Sequence, residues 1–147
     1  MNSSSSAVSA PIVIAARVLL ALMFVLAGFS KFAGLEGTAG YIASKGLPLP
    51  GVLAFATATL EVVGGLALAF GLQARWAAGA LALFTLVASF LFHNFWAMPA
   101  DQAYVQQLMF MKNLAVAGGL LMVVAFGAGP ASIDARLAAR RPALARA

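Results

Sequence analysis

Four stretches of this chain, residues 11–32, 51–71, 76–97 and 108–129, are apolar over some twenty positions each and hold four charged side chains between them: Arg17, Lys31, Glu61 and Lys112. A helix rising 1.5 Å per residue needs about 20 apolar residues to cross a hydrocarbon core of ~30 Å. Without water, every backbone N–H and C=O must be satisfied inside the segment, so such stretches become helices. The chain is 63% hydrophobic and 9% charged, where a soluble domain carries about a quarter charged residues. The expected fold is therefore all-α, an integral membrane four-helix antiparallel bundle over residues 11–129, with the lipid bilayer as its first partner.

The joints follow from helix breakers. Residues 33–50 read as a Gly-rich loop closed by Pro48 and Pro50, residues 72–75 as a tight turn, and residues 98–107 as a polar loop. Trp76 and Trp96 are 20 residues apart, about 30 Å of helix, and tryptophan prefers both membrane interfaces, so the third span is expected to run unbroken between them. Residues 1–10, with serines at 3–6, read as a disordered lead. Residues 130–147 read as a basic amphipathic tail. Four of the nine cations lie in the last twelve residues, which directs the formal charge of +5 at anionic lipid and away from nucleic acid.

With both termini cytoplasmic, all six arginines (Arg17, Arg75, Arg136, Arg140, Arg141, Arg146) fall in the inner half and all three lysines (Lys31, Lys45, Lys112) in the outer half. Six against three favours that topology. The residues before Arg17 carry no positive side chain, and residues 26–34 offer no small-residue cleavage site, so the first segment is expected to be a retained span and not a cleaved signal peptide. Gly64-Gly65 with Ala69-Phe70-Gly71 is echoed by Gly118-Gly119 with Ala125-Phe126-Gly127. Small residues where membrane helices approach account for this better than a duplication does.

The intramembrane polar residues fall on helix faces. Arg17, Ala21, Phe24, Gly28 and Lys31 recur at offsets of 0, 4, 7, 11 and 14, one narrow stripe, with small residues that let a neighbour approach. Thr57, Glu61, Gly64, Gly65 and Leu68 share a second face, and Thr85, Ser89 and His93 a third. An acidic group at mid-depth costs roughly 2.5–3.5 kcal/mol even on the lenient insertion scale, so Glu61 needs a partner or a wet cavity. Arg17, Lys31 and Lys112 are the available cations. Two readings stay open, a structural ion pair and a site for a ligand or a proton. By depth, Lys31, His93 and Lys112 form a cationic, titratable layer above Glu61.

The chain has one histidine, no cysteine and one deep carboxylate, which argues against a metal centre and removes disulfides, thiolate nucleophiles and iron–sulfur ligation. No covalently bound cofactor is expected, and no phosphate loop, dinucleotide fingerprint or serine triad is present.

Five motifs occur in order along the spans: Arg17-Val-Leu-Leu-Ala-Leu-Met-Phe with Gly28-Phe-Ser-Lys31-Phe; Gly46-Leu-Pro48; Glu61-Val-Val-Gly64-Gly65 with Gly71; His93-Asn-Phe-Trp96; and Gln107-Leu-Met-Phe-Met-Lys112-Asn113-Leu-Ala-Val-Ala-Gly118-Gly119-Leu-Leu. In these, over about residues 12–129, the sequence resembles the DoxX family of small four-helix bacterial membrane proteins. The resemblance implies an inner-membrane protein. One branch of the family supplies the large membrane subunit of a thiosulfate:quinone oxidoreductase, others are linked to oxidative-stress complexes, and distant eukaryotic relatives act as cargo receptors. The expectation carried forward is a membrane subunit associated with redox or quinone chemistry, in which Arg17, Lys31, Glu61, His93 and Lys112 bind a small anion or a quinone headgroup and Glu61 and His93 transfer protons. A redox partner protein would then complete it, with self-association into a homo-oligomer left open. The rival readings are a non-catalytic scaffold or assembly partner and a small proton-coupled transporter.

Overall fold

A computed structural model describes residues 3–144 of the chain. Among them are six helices and no strand: α1 (Ser3–Ala33), α2 (Leu35–Ser44), α3 (Pro50–Phe70), α4 (Ala74–Phe92), α5 (Ala100–Phe126) and α6 (Ile133–Leu144). Four of these supply spans of membrane-crossing length and hydropathy, over Ala10–Ala33, Pro50–Phe70, Ala74–Ala97 and Ala100–Phe126. They alternate in direction, so the all-α membrane bundle is the observed architecture. Helix α1 packs chiefly on α3 and α4 on α5, with α3 against α4 joining the two pairs.

The first pair meets through small residues. Ala21 and Gly28 on α1, seven positions apart, face Ala58 and Gly65 on α3, also seven apart, and all four are buried. A Cβ at Gly28 would stand 2.9 Å from the Ala58 carbonyl oxygen, and one at Gly65 would stand 3.2 Å from that of Ala21. Close backbone approach of this kind is what holds helices together in lipid, where apolar burial supplies no preference for helix over solvent. Gly28→Leu should therefore lower stability in detergent by about 3 kcal/mol, read as a fall in thermal midpoint. Gly118→Leu is the matched control, because Gly118 is exposed and a Cβ there meets nothing within 4 Å. Equal effects of the two would rule out this crossing as the cause.

The structure corrects four expectations. The loop over 33–50 contains helix α2, because Leu35, Ala39 and Ile42 fall on one face and Ile42 is buried; that burial, with Glu36 in the first turn, outweighs Gly37 and Gly40. The third span does not run unbroken between its tryptophans. Helix α4 ends at Phe92, His93 leaves helical geometry at φ −123° and ψ 36°, and a short 3-10 turn follows over Phe95–Ala97. This bend folds Phe95 and Trp96 back onto Phe110 of α5, with ring centroids 5.7 and 5.6 Å away. The polar loop over 98–107 is mostly helix, since α5 begins at Ala100 behind Pro99 with Asp101 in its first turn. Finally, α1 extends back to Ser3 where a disordered lead was expected over 1–10, as a helix already nucleated by a span propagates at little cost. Met1 and Asn2 lie outside the described residues.

Helix α6 lies in the stretch read as a basic tail, of which residues 145–147, with Arg146, lie outside the described residues, and it is stitched to the α3–α4 turn. Ser132 caps it, accepting the Ala135 N–H at 3.1 Å. Asp134 then reaches the α4 N-terminus, its two carboxylate oxygens accepting the N–H groups of Gln73 at 2.8 Å and Ala74 at 2.9 Å. Its own N–H donates to the Gly71 carbonyl at 2.9 Å. Gln73 has left-handed backbone geometry, φ 49°, and Asp134 offsets that strain with a charged acceptor at the positive end of α4.

Candidate functional site

The three expected faces converge. Arg17, Ala21, Phe24 and Gly28 are buried along α1, with Lys31 half-buried at the end of the stripe; Glu61, Gly64, Gly65 and Leu68 are buried on α3, and Thr85 and Ser89 on α4. Between them, in the half of the bundle that carries Lys31, lies a cavity of about 320 Å³. Lys31, Glu61, His93 and Lys112 all line it, together with Thr57, Thr85 and Asn113, while Met23, Phe24, Phe84 and Phe92 make its apolar wall. Thr38, Tyr41 and Ile42 of α2 roof it, and Tyr41 lies against Phe92 with ring centroids 5.2 Å apart.

Glu61, 5% exposed, finds its counter-ion one helix away. Lys31 Nζ donates to Glu61 Oε2 at 2.6 Å, and among the described residues Oε1 accepts no hydrogen bond. The pair is possible because the close α1–α3 crossing at Gly28 sets residue 31 opposite residue 61. Lys31 is 29% exposed on its side chain, so its stem runs along apolar surface while its head reaches the carboxylate.

His93 owes its place to the bend after Phe92. Its Nδ1 lies 2.8 Å from Gln106 Oε1; with that oxygen as acceptor, Nδ1–H donates. Gln106 stands on the part of α5 expected to be loop, so its role was hidden with that helix. Thr85 is 5% exposed, and among the described residues its hydroxyl has no hydrogen-bond partner. A buried hydroxyl of this kind is rare enough to mark a place for something else. Thr38 and Tyr41 went unrecognised because α2 did; the 35/39/42 spacing was the available signal.

Arg17 is not part of the cavity. It lies at the opposite end of the bundle, 5% exposed, where Nε donates to the Ala69 carbonyl at 3.2 Å, NH2 to that of Ala131 at 3.2 Å, and NH1 to that of Ala128. Helix α3 ends in a glycine cap: Gly71, at φ 66°, donates to Leu68 O, and Leu72 to Ala67 O. Those bonds leave the Ala69 carbonyl unsatisfied, and Arg17 takes it. Between Arg17 and the cavity, Phe24, Leu68, Leu81 and Leu120, each at most 2% exposed, form a closed apolar layer.

The sequence model of the DoxX family matches residues 12–94. The Escherichia coli (strain K12) inner membrane protein YqjF is 41% identical over 122 residues, 83% of this chain and 88% of that protein. The inner membrane protein YphA of the same organism is 32% identical over 82% of this chain and 86% of its own length. The Bacillus subtilis (strain 168) protein CatD, named as a candidate oxidoreductase, is 37% identical over 51% of this chain and 54% of its own. No solved structure shows a significant match. With four membrane-length helices, the expected charged faces and these relatives, the chain belongs to the DoxX family.

Proposed function

We propose that this chain is an inner-membrane subunit of a quinone-linked redox system, both termini cytoplasmic, whose cavity holds a quinone headgroup or a small anion. The observation that carries the reading is the gathering of Lys31, Glu61, His93 and Lys112 from three helices around one cavity inside the membrane-spanning bundle. The names of YqjF and YphA support the location, and that of CatD the redox association.

The residues suit such a ligand. A single substituted ring fits within about 320 Å³, Phe84 and Phe92 offer apolar faces, and the orphaned Thr85 hydroxyl can donate to a ring oxygen. A quinone, when bound, accepts two electrons and two protons. The electrons come from a partner, since this chain has no cysteine to hold an iron–sulfur cluster. Glu61, with Oε1 unengaged among the described residues, and His93 are the groups that take up and pass on protons at the cavity. Lys31 keeps Glu61 oriented, and the apolar layer below confines proton exchange to the Lys31 end, which favours binding over transport. A scaffold reading draws on one observation, the 2.6 Å Lys31–Glu61 pair, which fixes the register of α1 on α3 whether or not a ligand binds.

The test is Glu61→Gln, which keeps size and hydrogen bonding and removes the titratable proton. Reduction of a short-chain ubiquinone by the purified protein, with thiosulfate as donor and the co-purified partner present, should fall by about 10²-fold or more in the variant, while the protein folds and accumulates normally. Full activity in a folded Glu61→Gln protein defeats the site and leaves the scaffold.

A further inference from the structure

The charges around the cavity do not sum to zero. Lys31 and Glu61 are in contact at 2.6 Å, and their fields largely cancel over the rest of the space. Among the described residues Lys112 has no such counter-ion. Among the described residues the hydrogen-bond contact of its Nζ is the Met109 thioether at 3.7 Å, a neutral and weak acceptor, and no second carboxylate lines the cavity. The cavity therefore carries one uncompensated positive charge near low-dielectric walls, where field lines are focused. Thr85, buried and without a hydrogen-bond partner, adds a polar group that nothing in the bundle satisfies. Its neighbours in the wall, Phe84 and Phe92, are apolar.

We infer that the preferred ligand is a monoanion with an apolar body: a ring or short chain bearing one acidic oxygen, carboxylate or phenolate, balanced by Lys112 and hydrogen-bonded by the Thr85 hydroxyl. The inference rests on the cavity being a ligand site, as proposed above, and narrows it to a charge and a shape. A cation meets the unopposed Lys112. A dianion exceeds the single free charge and meets Glu61. A neutral ring enters but gains nothing from Lys112. Because Lys112 is exposed, it stands at the mouth, where it steers an anion inward and completes the site once the ligand is seated.

The chain has no cysteine, so Thr57→Cys places a lone thiol on the cavity wall of the full-length protein. In nanodiscs of neutral phosphatidylcholine, its modification by a negatively charged sulfonate methanethiosulfonate is compared with that by a positively charged trimethylammonium one, each normalised to its rate with a free thiol. The expected preference for the anionic reagent is roughly ten-fold or more, retained in Lys112→Arg and reduced to near parity in Lys112→Gln. Benzoate should slow the reaction where the neutral benzamide does not, and Thr85→Val should weaken that protection several-fold. Thr38→Cys on α2 reports on the same cavity should the first variant fold poorly. Preference for the cationic reagent, a preference that Lys112→Gln leaves unchanged, equal protection by benzamide, or no modification at either position overturns the inference. None of these readouts involves electron transfer. Charge selectivity without quinone reduction would fell the redox reading and keep the anion site; quinone reduction without selectivity would do the reverse.

Discussion

Arg17→Met is expected to destabilise the purified protein by about 3–5 kcal/mol, the range seen when one partner of a buried charged contact is removed. Three carbonyl oxygens, those of Ala69, Ala128 and Ala131, lose their charged donor together, and the first belongs to the last turn of α3, which has no other way to satisfy it. Methionine fills much of the volume but donates nothing. Arg17→Lys keeps the charge yet presents one compact ammonium where a planar fork reached three acceptors, so it should fall between the two. Thermal midpoints in detergent give the ranking, and limited proteolysis between α5 and α6 shows whether the linker has come free. Because Arg17 is outside the cavity, benzoate protection at Thr57→Cys should persist in whatever fraction stays folded. A stable Arg17→Met protein with an intact linker would show the three contacts to be dispensable.

The Lys31–Glu61 pair should respond unequally to loss of its two members. Glu61 is 5% exposed, so Lys31→Met strands a carboxylate with no route to water except the cavity, at a cost of about 3 kcal/mol. Lys31 can swing outward on its long stem, so Glu61→Met should cost about 1–2 kcal/mol, partly recovered by better packing. The double variant should be more stable than the sum of the two losses predicts, with a coupling of about 2 kcal/mol. Strict additivity in that cycle would mean that the contact contributes nothing.

The membrane bundle and its charged faces were legible because lipid leaves few choices. An apolar stretch of spanning length must be helical, and a charge within it must turn inward, so 3.6-residue periodicity alone aligned Arg17 with Lys31 and Glu61 with Gly64 and Gly65. The depth of each residue then assembled Lys31, His93 and Lys112 above Glu61. What stayed hidden sits where the backbone leaves that regime. Helix α2 is short, carries two glycines and is set by packing against α3. The break at His93 is decided by aromatic contacts with Phe110, seventeen residues further on. Arg17 looked like a ligand group because its partners are backbone carbonyls, which have no signature in sequence and lie at separations of 52, 111 and 114 residues. The clasp by Asp134 is hidden for the same reason.

The apolar layer of Phe24, Leu68, Leu81 and Leu120 lies below the cavity, and for the site proposed above that has an electrical consequence. Glu61 is the twelfth of the 21 residues of α3, so a proton or anion arriving from the Lys31 end traverses about half of the membrane and leaves by the same route. Moving one charge across the whole membrane is worth about 2.3 kcal/mol per 100 mV, so occupancy of Glu61 senses about half of that. Ligand affinity at the proposed site would thereby be tied to the membrane potential. A 100 mV change would then alter that affinity by about seven-fold, without a moving helix and without steady current.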